Sequence, residues 1–198
     1  MDYFFPPFFL CKRGLLELEK TRTGVELKFY ELCNKVVGSE GLELYGLDYN
    51  AAQSLLRLFI QNSETKTANL EDCAKIDRAL TPSIEEEEWM PTDLTLEVSS
   101  PGVYRDIKEA KWMSSFIGER ICLVLSQKLE EKYFFETLKI DKKLLKDKKI
   151  FIYLKNFDGE NITFSNSSEQ EAIGSIPVSI IKRANIEPLW EDIKDNQN

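Results

Sequence analysis

A tetrapeptide that neither a helix interior nor a strand interior accepts, Ser99-Ser100-Pro101-Gly102, divides this chain into two stretches with different hydrophobic rhythm. Proline cannot donate to a ladder and glycine supplies unusual backbone angles, so the segment reads as a tight turn. Before it, apolar residues recur at helical spacing and then in alternation. After it come short runs of strand character separated by glycine, asparagine and lysine. With 198 residues the chain is long enough for two small domains.

The first stretch predicts a helix over Val25 to Val37, where Val25, Phe29, Leu32, Cys33 and Val36 form one stripe. Gly38 and Gly41 stop it. Leu42 to Tyr49 and Leu55 to Gln61 read as strands of an antiparallel hairpin, with the polar segment from Asn50 to Ser54 between them. A second helix is expected after Asn69, whose side chain caps it with Asp72 three residues on. Leu70, Cys73, Ala74 and Leu80 give that helix a buried face, and Pro82 is expected to end it. Ser83 and Glu86 repeat the capping pattern for a short acidic helix from Ile84 to Trp89. Leu94, Leu96 and Val98 alternate with polar residues as a third strand. The expected unit is a small sheet with helices packed on one face, an α+β domain.

The second stretch predicts a short helix from Lys108 to Phe116. Strands are expected over Arg120 to Ser126, Tyr133 to Asp141, Lys149 to Asn156, Asn161 to Phe164, Ile176 to Ile181 and Ala184 to Glu187. Asp158-Gly159 is a hairpin signal, and Asn166 to Ser175 is a polar loop. A series of short strands hides its edges best as a closed or nearly closed barrel.

Composition narrows the chemistry. There is no histidine, which removes Ser-His-Asp and Cys-His nucleophiles and any imidazole metal site. Cys11, Cys33, Cys73 and Cys122 are scattered without a C-x-x-C pair, the pattern of reduced, mostly buried thiols. No run approaches the roughly 18 apolar residues that span a bilayer. The apolar start, Met1 to Leu10, is short and broken by Pro6 and Pro7, with Asp2 where a signal peptide carries positive charge. It is expected to be a poorly ordered extension, with a membrane-surface anchor as the other reading.

The net charge is −8, so the chain as a whole repels a phosphate backbone and any RNA contact needs a local basic patch. Residues 25–106 carry 16 acids and 7 bases, whereas residues 107–198 carry 15 of each. The second half holds the lysine clusters. Lys142, Lys143, Lys146, Lys148 and Lys149, with Lys139 nearby, surround one strand-to-strand connection. They read as a phosphate-contacting loop or as a solvated hairpin with gatekeeper charges, diluted by Asp141 and Asp147. Lys182 and Arg183 are a second candidate. Tyr133, Phe134, Phe135, Phe151 and Tyr153 suggest base-stacking platforms, but alternation assigns at least half of them to the core. Glu85 to Glu88 point in different directions on a helix and cannot converge on one metal ion. They read as a solvated face or as a surface for a basic protein. Ser99 and Ser100 have no base beside them, so turn hydrogen bonding is their expected task.

Three segments together resemble the ribosome maturation factor RimP family: Leu70-Glu-Asp-Cys-Ala-Lys-Ile-Asp-Arg-Ala-Leu80, Leu96-Glu-Val-Ser-Ser-Pro-Gly102 followed by Arg105, and Ile176-Pro-Val-Ser-Ile-Ile-Lys-Arg-Ala-Asn-Ile186. The second is the most specific, and the resemblance runs from about Val25 to Trp190. Asp77 stands where the family usually has serine, Val103-Tyr104 where it has leucine and aspartate, and Asp106 where it has proline. The resemblance implies an N-terminal α/β domain with a three-stranded sheet over residues 25–102. It also implies a C-terminal SH3-like or Sm-like small β-barrel over 103–190, between an extension (1–24) and a tail (191–198). It further implies a non-catalytic, cytoplasmic factor that binds the free small ribosomal subunit, with the decoding-centre ribosomal protein and ribosomal RNA as partners. No cofactor, metal, membrane or small-molecule substrate is implied. Arg105 is expected to hold the turn Ser99-Ser100-Pro101-Gly102 by pairing with an acid or backbone carbonyls at the domain junction. A stand-alone Sm-like RNA-binding module is the alternative, and an acid-cluster metal hydrolase has little support.

Overall fold

The computed structural model describes residues 22–135 and 142–189. The expected extension up to residue 21, the tail, and most of the strand expected over Tyr133 to Asp141 lie outside them. Helix α1 (Gly24–Ser39) leads into β1 (Glu43–Asn50) and β2 (Leu55–Gln61), which pair antiparallel as the hairpin pattern requires. Helix α2 (Leu70–Glu86) follows, and then β3 (Thr95–Ser99). The long return through α2 lets β3 lie parallel to β2, giving the order β1-β2-β3. Phe29, Cys33 and Val37 of α1 and Ile76 and Leu80 of α2 bury against Leu44, Leu47, Leu56, Leu58 and Ile60. Each valine, leucine, isoleucine or phenylalanine among them contributes about 1.5–3 kcal/mol when fully buried. Both helices therefore lie on one face of the sheet.

The N-terminus of α2 carries the expected capping box, with Asp72 N–H donating to Asn69 Oδ1 at 2.8 Å and Asn69 N–H to Asp72 Oδ2 at 3.0 Å. Its end differs from expectation. Pro82 does not stop the helix, and no separate helix forms over Ile84 to Trp89, because α2 continues to Glu86. The apolar stripe Ile76, Leu80, Ile84 keeps its phase through the proline and holds the last turn on the core. Pro82 itself faces solvent. One residue earlier, Thr81 Oγ1 donates to Asp77 O at 2.9 Å.

Beyond the turn, a 3-10 segment (Ala110–Phe116) occupies the place of the expected helix and buries Trp112, Met113 and Phe116. Five strands follow: β4 (Arg120–Leu125), β5 (Lys149–Phe157), β6 (Asn161–Ser165), β7 (Gly174–Pro177) and β8 (Ile181–Ile186), all antiparallel in the order β7-β6-β5-β4-β8. The strand expected over Ile176 to Ile181 is two strand ends joined by a 3-10 turn, Val178–Ile180. In place of a strand at Tyr133, a 3-10 turn (Glu131–Tyr133) leads to Phe134, which makes a single bridge to Gly174. The Phe134 ring packs edge-on against Phe164 at 5.7 Å.

The sheet is not a closed barrel. Its edge strands β7 and β8 do not pair, because the 3-10 turn between them carries the chain across the gap as a corner. Each edge is instead partly covered. Residues 105–107 run beside β8, with Ile107 N–H donating to Ala184 O at 2.7 Å and Ile186 N–H to Arg105 O at 3.0 Å. Phe134 and Phe135 lie along the start of β7. The inward residues of all five strands form a second core that includes Ile121, Leu123, Ile152, Leu154, Ile162, Phe164 and Ile176.

Candidate functional site

The lysine connection contains a short helix, α3 (Lys142–Lys146), which follows the undescribed residues 136–141. Leu144 is buried in the second core and Leu145 packs against it, so Lys142, Lys143 and Lys146 are turned to the surface by their apolar neighbours. Lys148 is anchored beside them, its Nζ donating to Ser126 O at 2.9 Å. Lys149 opens β5. Its register partner on β4 is Val124, and Val124 is also the partner of Arg183 on β8. The two basic segments, 33 positions apart in sequence from Lys149 to Lys182, therefore meet at the C-terminal end of β4. A register shift between Val124 and Leu125 leaves Lys182 as the extra residue there, exposed beside Arg183. One end of the five-stranded sheet thus gathers Lys148, Lys149, Lys182 and Arg183, with α3 adjoining.

The turn forms a separate cluster. Gly102 has φ +79°, a conformation that side chains resist. Ser99 ends β3, Pro101 is half-buried, and Ser100 Oγ lies 3.1 Å from Thr67 Oγ1. Arg105 Nε donates to Gly102 O at 2.8 Å, and its Nη1 donates to Lys66 O and, at 3.2 Å, to Gln61 Oε1. Gln61 is wholly buried and donates in turn to Glu43 Oε2 at 3.0 Å. The guanidinium also lies 5.8 Å from the Tyr45 ring and 5.9 Å from the Phe116 ring. Burial pushes the Arg105 pKa down, opposed by nearby Tyr45 and Glu119. Arg105 thus ties the first sheet's loop, the turn and the 3-10 segment of the second stretch to one cation.

Sequence reading passed over the contacts that dock the two sheets. Tyr45 belongs to β1 but projects from the face opposite the helices. Its ring lies 5.1 Å from that of Trp112, and its hydroxyl donates to Asp106 O at 2.7 Å. Trp112 Nε1 donates back to Tyr45 O at 3.0 Å. Lys108 forms a salt bridge to Asp48 and lies 4.7 Å over the Phe59 ring. The register shift after Leu44 is what aims Tyr45 this way. At the other end of the first unit, Glu85, Glu87 and Glu88 line an open cleft of about 380 Å³ with Ile84, Met90 and Leu94. Glu87 there accepts from Trp89 Nε1 at 2.7 Å. Among the described residues no group of acids or cysteines is placed to hold a metal ion. Of the aromatic candidates only Phe134 is fully in the core; Tyr133 and Tyr153 are half-buried, and Phe135 and Phe151 are exposed.

These features define an α+β protein of two separately cored sheets, joined at a glycine turn, with cations collected at one end of the second. Residues 32–104, from the middle of α1 through the turn, match the RimP N-terminal domain family. Among the described residues no helix is long and apolar enough to cross a membrane.

Proposed function

We propose that this protein is a cytoplasmic, non-catalytic ribosome maturation factor that binds the free small ribosomal subunit and assists its assembly. The RimP N-terminal domain at residues 32–104 carries the reading. It is supported by the way separate basic segments converge on one sheet end, which gives an acidic chain a local site for ribosomal RNA phosphates. The acidic first unit then faces solvent or the basic decoding-centre ribosomal protein. Residues 25–102 and 103–190 are taken as the two domains. The strand order β7-β6-β5-β4-β8, with a 3-10 turn between the edge strands, supports an SH3-like or Sm-like small barrel for the second. Ser99, Ser100, Pro101, Gly102 and Arg105 set the relation between the two. Binding works by differential affinity: an intermediate that presents the matching surface is stabilised, and the joined ribosome is released.

Sedimentation with free small subunits, large subunits and joined ribosomes at several salt concentrations tests this. The wild-type chain is expected to follow free small subunits and not joined ribosomes. Replacing Lys142, Lys143 and Lys146 together with Glu is expected to weaken binding and flatten its salt dependence. The log–log slope is expected to fall by roughly 0.7 for each single-strand phosphate that the variant no longer neutralises. The melting temperature stays nearly unchanged, since exposed charge substitutions typically matter by less than about 0.5 kcal/mol. Equal binding to large subunits would instead identify a general RNA-binding module. An unchanged salt slope would remove α3 from the interface.

A further inference from the structure

The outward face of the second sheet is a three-by-three grid set by register. Tyr153 and Arg120 form one row, which Glu187 extends by donating its N–H to Arg120 O at 2.9 Å. Phe151, Cys122 and Asn185 form the next, and Lys149, Val124 and Arg183 the third. The inward neighbours, Ile121, Leu123, Ile150 and Ile152, are at most 3% exposed, so the alternation fixes which side faces out. In the middle of this outward face Phe151 is 40% exposed. Arg120 lies 4.8 Å over its ring and Lys149 5.4 Å. Arg120 is held in place, because its Nη1 donates to Glu187 O at 3.1 Å. Cys122, the register partner of Phe151 on β4, is only 2% exposed, so the strand surface beside the ring is filled.

A part-exposed phenylalanine with two cations against its ring suits one kind of partner. A base offers a π-face to the ring, and its phosphate offers charge to Lys149 and Arg183 at the next row. An acidic peptide would use the cations and leave the ring idle, and an apolar partner would strand Arg120 and Lys149. We propose that the outward face of β4, β5 and β8 is a stacking platform for unpaired RNA, with Phe151 taking a base and Lys149 and Arg183 the adjoining phosphates. The proposal rests on the reading of the chain as an RNA-contacting maturation factor and names the form of RNA that the second sheet takes: single-stranded, and read without sequence preference. Glu187, the one acid in the grid, lies at the far end beside Arg120, so the strand is expected to run over the Lys149 and Arg183 end.

Fluorescence anisotropy with a labelled twelve-nucleotide oligouridylate, which has no secondary structure, tests the platform apart from the ribosome. The full chain is expected to bind it with an affinity that falls as salt rises. Phe151→Leu keeps an apolar cover over Cys122 but removes the π-face, and is expected to weaken binding roughly 5- to 100-fold while leaving the salt slope unchanged. Arg183→Gln is expected to weaken binding and reduce the slope. Tyr104→Leu, at an exposed aromatic outside the grid, serves as the control and is expected to change neither. A thermal melt of each variant checks that the sheet is intact. Wild-type affinity in Phe151→Leu, or no binding of the oligomer by the wild-type chain, overturns the platform. Sedimentation with small subunits judges the maturation-factor reading independently, since a chain that follows the subunits but ignores the oligomer keeps that reading and loses this one.

Discussion

The two sheets of this protein solve the same problem in opposite ways. The three-stranded sheet is too small to bury itself, so it is covered on both faces: α1 and α2 on one, and Trp112, Phe116 and Lys108 of the following stretch on the other. The five-stranded sheet curls around its own inward side chains and leaves Lys149, Phe151 and Arg183 of its outward face exposed. A sheet covered on both sides has little surface to offer a partner beyond its helices and acidic ends. A sheet covered on one side can place cations and an aromatic ring at fixed spacing on rigid strands. That difference locates the candidate binding surface in the second sheet, although the family match lies over the first.

The coupling of the two units is the part of this comparison most exposed to test. Tyr45 is a residue of the first sheet whose ring is buried in the second unit's core. Tyr45→Ala is expected to cost about 3–5 kcal/mol, the range for truncating a buried aromatic. It is also expected to split the melt into two transitions in differential scanning calorimetry. A single transition with the same destabilisation would mean the sheets stay coupled through the contacts that survive, among them Arg105, Lys108 and the Trp112 hydrogen bond to the backbone carbonyl of residue 45.

A smaller effect separates the units from the other side. A Cβ on Gly174 would lie 2.5 Å from the Tyr133 carbonyl and 2.8 Å from the Phe164 ring, and neither can move without opening the second core. Gly174→Ala is expected to destabilise by roughly 1–3 kcal/mol, as overpacking does. Amide exchange is expected to quicken in β5, β6 and β7, while β1 and β2 keep their protection. Equal loosening of both sheets would show that they unfold as one.

The smallest effect is a gain confined to the first unit. Pro82 interrupts the ladder of α2 on an exposed turn, so Pro82→Ala restores a hydrogen bond but also frees the unfolded chain. The net is expected to be a stabilisation of roughly 1–2 kcal/mol in chemical denaturation. A destabilisation would mean that Pro82 is needed to seat Ile84 and Trp89 on the core.

Local signals determined much of this protein from sequence alone. The α1 stripe, the β1–β2 hairpin, the Asn69–Asp72 capping box, the Asp158-Gly159 hairpin and the turn at Gly102 each depend on residues a few positions apart, which one sequence displays. The basic character of the segments Lys142 to Lys149 and Lys182-Arg183 was equally plain. Pro82 misled because a proline's local penalty is weighed against packing of the whole stripe, and Ile84 packs on partners distant in sequence. Tyr133 to Phe135, the described start of the expected strand, form the end of a 3-10 turn and a single bridge, because strand propensity says nothing about which partner edge is vacant. Tertiary structure alone decided that β3 runs parallel to β2, that the second sheet stays open between β7 and β8, and that Tyr45 crosses into the other core. It also decided that Lys149 and Arg183 flank one valine. Register between strands depends on how a bulge and a 3-10 corner shift the ladder by one residue, and a shift of one turns every side chain to the opposite face.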